Sequence, residues 1–482
     1  MLNGKILGVE EIRFTSQKQE IETCLAEDIS VKDVPLELIQ AVFGREARVP
    51  GYLPPTMTRT PWGDAASLRE RKLRPGRGTP REEAGKNQRE RLFAAMVATV
   101  AEKGYEATTV ADLVELSGVS RSAFYRHFED KQACFVAAVE AMVEPTLRKL
   151  GADESAPPGI ERARAAFASL IETIVEQPAA AKMCVVEVYA AGPEGAALVD
   201  KSIESATDLA AALLEQVPER QGMPRELVRA IVGGIQKVIH KRLYRGQEQE
   251  LLDLVPQLWD WIFCYPVPPG PLKARRRRNV KALPFEDRQK VANPPERLLR
   301  ALAAVVAEKG YPDTTVAEVV ERASTSQRTF YEHFKNKEDA IVAALDSGSA
   351  HMLAAALPAF RRAPDWKNAV HDTIEAMFCW GAEEPEYARM GGVEMYAAGK
   401  RALDQREVVT EGMEGLLAPG YELKPQTPPI AAEAVGGALY ELLYDHVNKK
   451  GPETLPDLVP TLVYVTLAPF LEAEDAYEVA VG

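Results

Sequence analysis

The chain has 482 residues, 46% of them hydrophobic and 27% charged, with a formal net charge of −13. That length is too great for one ordinary core and suggests roughly two to four domains of a soluble globular protein. Five scattered cysteines (Cys24, Cys134, Cys184, Cys264, Cys379) make neither a CxxC pair nor a ligand spacing, and the longest strongly apolar stretch, near Leu462 to Leu471, is too short for a bilayer.

No metal, cofactor or membrane is therefore expected, and the first residues carry no export signal, so the expected compartment is the cytoplasm. The net charge speaks superficially against a nucleic-acid partner, but its distribution does not. Arg69 to Arg91 holds nine basic residues against four acidic ones, and Lys273 to Lys281 holds six basic residues and no acid.

In chain order, residues 1–68 come first and receive no function. Gln19 to Glu27 and Pro35 to Phe43 fit short helices, after which Pro50, Pro54, Pro55 and Pro61 prevent regular structure. The first unit occupies about 69–268. Leu92, Phe93, Met96, Val97 and Val100 share one helical face, and Gly104 closes that helix. Thr108 or Thr109 is a suitable cap for the next helix, which buries Val110, Leu113 and Val114. Gly118 supplies the left-handed turn that breaks it. Ser120 then caps a short helix reaching Phe128, and Asp130 caps a long one. The helix-hostile run from Tyr265 to Pro271 and the arginine run follow, and the second unit occupies about 275–482.

The second unit repeats the first. Gly104 to Lys131 and Gly310 to Lys337 share 14 of 28 residues at a constant interval of 206. Similar phrases recur downstream: Met183, Glu187 and Tyr189 return as Met390, Glu394 and Tyr396, and Gly233-Gly234 returns as Gly436-Gly437. A repeat of this length is a duplicated domain, well beyond the solenoid periods of about 20 to 50 residues.

Helix, tight turn and short second helix make a helix-turn-helix, whose second helix can enter a major groove and meet base edges near its start. The ordered set Gly104-Tyr105, Thr108-Thr109-Val110, Gly118-Val119-Ser120, Phe124-Tyr125, His127-Phe128 and Lys131 resembles the DNA-binding domain of the TetR/AcrR family of bacterial regulators. The resemblance covers about 88–135 and 294–341. It implies an all-α fold of two tandem TetR-like units, with Phe124 and Phe128 packed beneath the short helix. It places Tyr125 and His127 against the DNA backbone and Lys131 near a phosphate. Residues expected at double-stranded DNA are thus Thr109, Ser120, Arg121, Ser122, Tyr125, His127 and Lys131. Their second-copy counterparts are Thr315, Ser326, Gln327, Arg328, Tyr331, His333 and Lys337, and the arm arginines Arg275, Arg276, Arg277 and Arg278 join them. The two copies differ where bases would be read, which suggests two unlike half-sites. Ser324 replaces the turn glycine at a cost on the order of a kcal/mol.

The resemblance also divides the chain into the extension 1–68, a DNA-binding domain at 69–140 with its basic arm, and an effector and dimerisation domain at 141–268. A linker and arm at 269–293, a second DNA-binding domain at 294–345 and a second effector domain at 346–482 follow. It implies an unidentified small-molecule effector and pairing of the last two helices of each unit, within one chain or between two chains as a homodimer. Met183, Glu187, Tyr189, Met390, Glu394 and Tyr396 are the candidate pocket lining, although the same spacing also fits a core. The function expected is a ligand-responsive repressor on a non-palindromic operator. The alternative is an architectural or protein-interaction module with non-specific helix-turn-helix copies. The sequence carries no phosphate loop, nucleophile elbow or HExxH, so no enzyme is expected.

Overall fold

The computed structural model describes residues 58–73, 80–152, 157–275, 280–290, 293–399, 401–404, 412 and 414–482. The helices expected before residue 44 and the arginines at 276–278 lie outside the described residues. Contacts divide the chain into two compact units, one ending at Asp260 and one running from Trp261 to Gly482.

The first unit opens with a two-stranded hairpin that the sequence pattern did not suggest. Strand β1 (Arg59–Thr60) pairs antiparallel with β2 (Gly63–Asp64), Arg59 opposite Asp64, and a 3-10 turn at Ala65–Ser67 follows. Three helices come next: α1 (Arg81–Ala107), α2 (Val110–Ser117) and α3 (Arg121–His127). Gly104, inside α1, has φ 77° and breaks its helical path, as a glycine can without steric cost. The Thr109 hydroxyl caps α2 by accepting from the Asp112 N–H, and the Asp112 carboxylate accepts from the Thr109 N–H in return. The remaining helices are α4 (Lys131–Ala152), α5 (Ile160–Glu176), α6 (Pro178–Val185), α7 (Gly192–Leu214), α8 (Arg225–Arg245) and α9 (Glu250–Ile262). Pro178 denies Gln177 the helical region (φ −130°, ψ 61°) and separates α5 from α6. On α8, Arg229 is 4% exposed and reaches Asp200 and Glu204 of α7 at 2.6 and 2.5 Å, so its buried charge is neutralised.

The second unit repeats this order. A short helix α10 (Phe285–Lys290) precedes α11 (Pro294–Lys309), α12 (Val316–Arg322), α13 (Gln327–His333) and α14 (Lys337–Arg362). Then come α15 (Trp366–Glu383), α16 (Pro385–Gly392), α17 (Ala418–Leu423), α18 (Ala431–Lys450), α19 (Val459–Leu467) and α20 (Ala473–Val481). Glu384, before Pro385, has the same backbone conformation as Gln177 before Pro178 (φ −120°, ψ 62°). The proline-rich stretch after α9 is extended but not loose. Tyr265 is buried and donates its hydroxyl to the Val465 carbonyl at 3.0 Å, while the Tyr464 hydroxyl donates to the Pro266 carbonyl at 3.0 Å.

Helix α14 is, by length and composition, apolar enough to cross a membrane. It packs instead against α11 and α15, with Ile341, Ala344 and Leu345 in the core, and so behaves as a core helix.

Helices α2 and α12 end differently. Gly118, left-handed at φ 64°, donates its N–H to the Val114 carbonyl, a single αL closure. Ser324, the only non-glycine with positive φ among the described residues (51°), donates to the Glu321 carbonyl at 3.0 Å while Thr325 donates to that of Val320 at 2.9 Å. That double closure is a Schellman motif, and it holds the serine in a conformation its Cβ disfavours. Ser324→Gly is therefore expected to stabilise the protein by roughly 0.5–1 kcal/mol, read as a higher urea midpoint at unchanged slope.

Candidate nucleic-acid interface

Helices α3 and α13 are seven residues long and are built the same way. Ser120 Oγ accepts from the Ala123 N–H and Ser326 Oγ from the Thr329 N–H, so each helix starts on a serine cap. Phe124 and Phe128 are buried, and the Phe128 ring packs on Phe124 and on Phe93 of α1, with centroids 5.8 Å apart in both contacts. Phe330 and Phe334 repeat the first pair at 5.4 Å. The opposite faces point to solvent. In the first copy Ser120, Arg121, Ser122, Tyr125 and Arg126 are exposed; in the second, Ser326, Gln327, Arg328, Tyr331 and Glu332 are. Each tyrosine stands edge-on to the buried phenylalanine before it and is about half exposed (49% and 56%).

The two faces differ in charge. The Arg121 guanidinium lies over the Tyr125 ring at 5.8 Å, and Arg126 adds a second cation with no acid on the helix. On α13 the exposed Arg328 is paired with Glu332 at 3.0 Å, so that face is nearly neutral. Arg126 and Glu332 were not singled out in the sequence, yet they set this contrast; comparing the repeats position by position reveals them.

The other expected residues are placed as follows. Thr109 and Thr315 are exposed and cap α2 and α12, each in a capping box. Lys131 sends its ammonium inward, donating to the Tyr105 carbonyl at 2.8 Å and the Glu106 carbonyl at 3.3 Å, over the Tyr105 ring at 4.1 Å. Lys337 does the same with Tyr311, Pro312 and Thr314. The Lys131 ammonium thus closes the end of α1 and the Lys337 ammonium the turn after α11, and burial lowers both pKa values. His127 is half-buried and its Nε2 lies 2.9 Å from Gln88 Oε1. Burial first, and the cations Arg89 and Arg126 after it, lower its pKa. His333 is half-buried beside Phe334. Arg275 is tied by its N–H to the Val481 carbonyl at 2.9 Å and by its guanidinium to Glu478 at 2.6 Å.

The candidate pocket residues separate into groups. Met183 is fully buried in the core, and Tyr189 is buried with its hydroxyl accepting from Gln236 at 3.4 Å. Glu187 Oε2 accepts from the Tyr105 N–H at 2.9 Å, joining the 3-10 turn that follows α6 to the end of α1. Glu394 accepts from the Tyr311 N–H in the same way; burial raises its pKa and Arg389 opposes that. Met390 lines a cavity of about 120 Å³ with Met352, Met377, Phe378, Trp380 and Tyr387. The Tyr396 side chain lies outside the described residues.

A family profile described as bacterial regulatory proteins of the tetR family matches residues 92–138 and again 298–344. Two TetR-type DNA-binding domains therefore lie in tandem in this chain. It is 32% identical over 63 residues to the uncharacterized HTH-type transcriptional regulator YerO of Bacillus subtilis (strain 168), a match spanning 13% of this chain and 22% of that relative. Among solved structures it is similar to the fatty acid degradation regulator FadR of Bacillus halodurans (19% identity, 37% of this chain and 95% of that one, TM-score 0.34). It is also similar to FadR of Bacillus subtilis in complex with stearoyl-CoA (18% identity, 36% and 96%, TM-score 0.32). Each TetR-type match covers α1 from Leu92, or α11 from Leu298, through the start of the long helix after the short one.

The lowered His127 pKa sets a pH dependence. An unfolded histidine titrates near 6.5, so as pH falls through that value the unfolded chain takes up the proton more readily than the folded TetR-type domain does. Stability is complete above about pH 6.5 and declines below it. His446, lowered by its burial, acts in the same direction. Urea midpoints measured from pH 7.5 to 5.5 are expected to fall, and His127→Gln should make that fall shallower.

Proposed function

We propose that the chain is a sequence-specific double-stranded-DNA-binding regulator of transcription, a repressor that engages two unlike half-sites as a single-chain pseudo-dimer in the cytoplasm. The observation that carries this reading is the pair of exposed short helices in one polypeptide, one cationic through Arg121 and Arg126 and one nearly neutral through Arg328 and Glu332. The tether raises the effective concentration of one reader for the other, which favours pairing within the chain. Different side chains at the two helix starts favour different bases, since an arginine pairs with guanine and a glutamine with adenine.

Release by a small apolar effector is supported by the cavity in the second unit. Its methionines adapt to ligand shape, and one short segment serves both sides. Met390 and Met395 line the cavity, Glu384 holds Arg300 of α11 at 2.7 Å, and Glu394 holds the Tyr311 N–H. A ligand that shifts this segment changes the support beneath the second reader.

Selection of genomic fragments on the full chain, followed by footprinting, tests the reading. The expected site has two dissimilar halves. Arg121→Ala and Arg328→Ala should each cost about 1–3 kcal/mol and relax sequence preference in one half only. A perfect inverted repeat, or salt-dependent binding with no sequence preference, would defeat it.

A further inference from the structure

The single αL closure of α2 leaves the Glu115 carbonyl without a backbone donor, and Arg69 takes it. Its Nε and Nη2 donate to that carbonyl at 2.9 and 2.6 Å, and Arg91 Nη1 donates to the neighbouring Ser117 carbonyl at 2.9 Å. In the second copy the corresponding Glu321 carbonyl is already taken by the Ser324 N–H. The glycine also makes room. A Cβ at Gly118 would lie 3.1 Å from Arg69 Cγ, so the stem of Arg69 packs tightly against the position from which Ser324 extends its side chain in the other copy. Among the described residues, the matching surface of the second copy is an open groove lined by Phe285, Arg297, Glu321 and Ser324. There Arg297, the counterpart of Arg91, leaves its Nε without a partner.

Arg69 is held in place by folded structure. Leu68 beside it is fully buried, Trp62 packs on Phe93 with centroids 5.1 Å apart, and Asn87 of α1 donates to the Arg71 carbonyl at 3.2 Å. The hairpin thus spans α1, the turn and, through Phe93 and Phe128, the support beneath α3.

We infer that residues 58–72 are a built-in positioning element of the first reader, and that Arg69 is the positioning residue that fixes the turn from which Arg121–His127 departs. Among the described residues, the second reader meets its turn carbonyls with backbone N–H groups. This inference rests on the DNA-binding role proposed above, but it has a readout that needs no DNA. In the full chain, Arg69→Ala should speed hydrogen exchange at Val119 to Ala123 and leave Thr325 to Thr329 unchanged. On fragments selected by the wild type, it should weaken the half-site mapped by Arg121→Ala about tenfold, the equivalent of one charge-assisted hydrogen bond. The half-site mapped by Arg328→Ala should be unaffected, and Arg69→Lys should restore part of the loss. Unchanged exchange at Val119 to Ala123, or equal weakening of both half-sites, overturns the inference. So does a loss that comes with a salt slope reduced by about one, because Arg69 would then be a phosphate contact. Should the wild type select no fragment, the DNA-binding reading fails, while exchange still decides whether Arg69 fixes the turn.

Discussion

A helix of seven residues does not stand alone in water. Everything that Arg121–His127 and Gln327–His333 hold out to solvent depends on two phenylalanines, four positions apart, being buried beneath each of them. The spacing puts both rings on one face. With that face committed to the core, Arg121, Tyr125 and Arg126 have nowhere to point but outward, and so do Arg328, Tyr331 and Glu332. The exposed chemistry of each copy is thus a by-product of where its aromatic rings go, which is why the outward residues can differ freely while the fold stays the same.

The same economy governs the junction between each helix-turn-helix and the helices that follow it. In both copies a glutamate at the start of a 3-10 turn takes the N–H of the tyrosine that follows the helix-breaking glycine. In the second unit this junction is reinforced by Arg288, which reaches Glu384 and Glu386 at 2.6 and 2.7 Å, and by Arg300, which reaches Glu384 at 2.7 Å. These guanidiniums are largely buried, and removing a single carboxylate would leave a charge without its counter-ion, a costly state in a dry setting. The start of α16 is therefore fastened to α10 and α11 by groups that resist partial release.

Much of this was legible in the residues because it is local. The duplication, the serine and threonine caps, the left-handed Gly118 and the buried phenylalanines all follow from short-range spacing and intrinsic preference. Contacts between distant segments were not legible. Nothing about Arg69 announces that its partner is the Glu115 carbonyl, and nothing about Lys131 announces that its ammonium meets the carbonyls of Tyr105 and Glu106. The recurrence of Glu187 as Glu394 was visible in the sequence, but not that each carboxylate takes a backbone N–H far away in the chain, at Tyr105 and Tyr311. The hairpin at Arg59–Asp64 went unseen because strands of two residues carry no periodicity.

Helix Lys337–Arg362 has the length and hydropathy of a bilayer span, and Pro294–Lys309 and Trp366–Glu383 are what cover its apolar side. Translation proceeds from the N-terminus at about 5–20 residues per second. The ribosome delivers this helix after Pro294–Lys309 but before Trp366–Glu383, so for a short interval it has one wall of its burial site and lacks the other. During synthesis the second unit must shelter a greasy rod with half a groove, which makes this stage the one at which a chaperone, or a nearby membrane, competes with the fold.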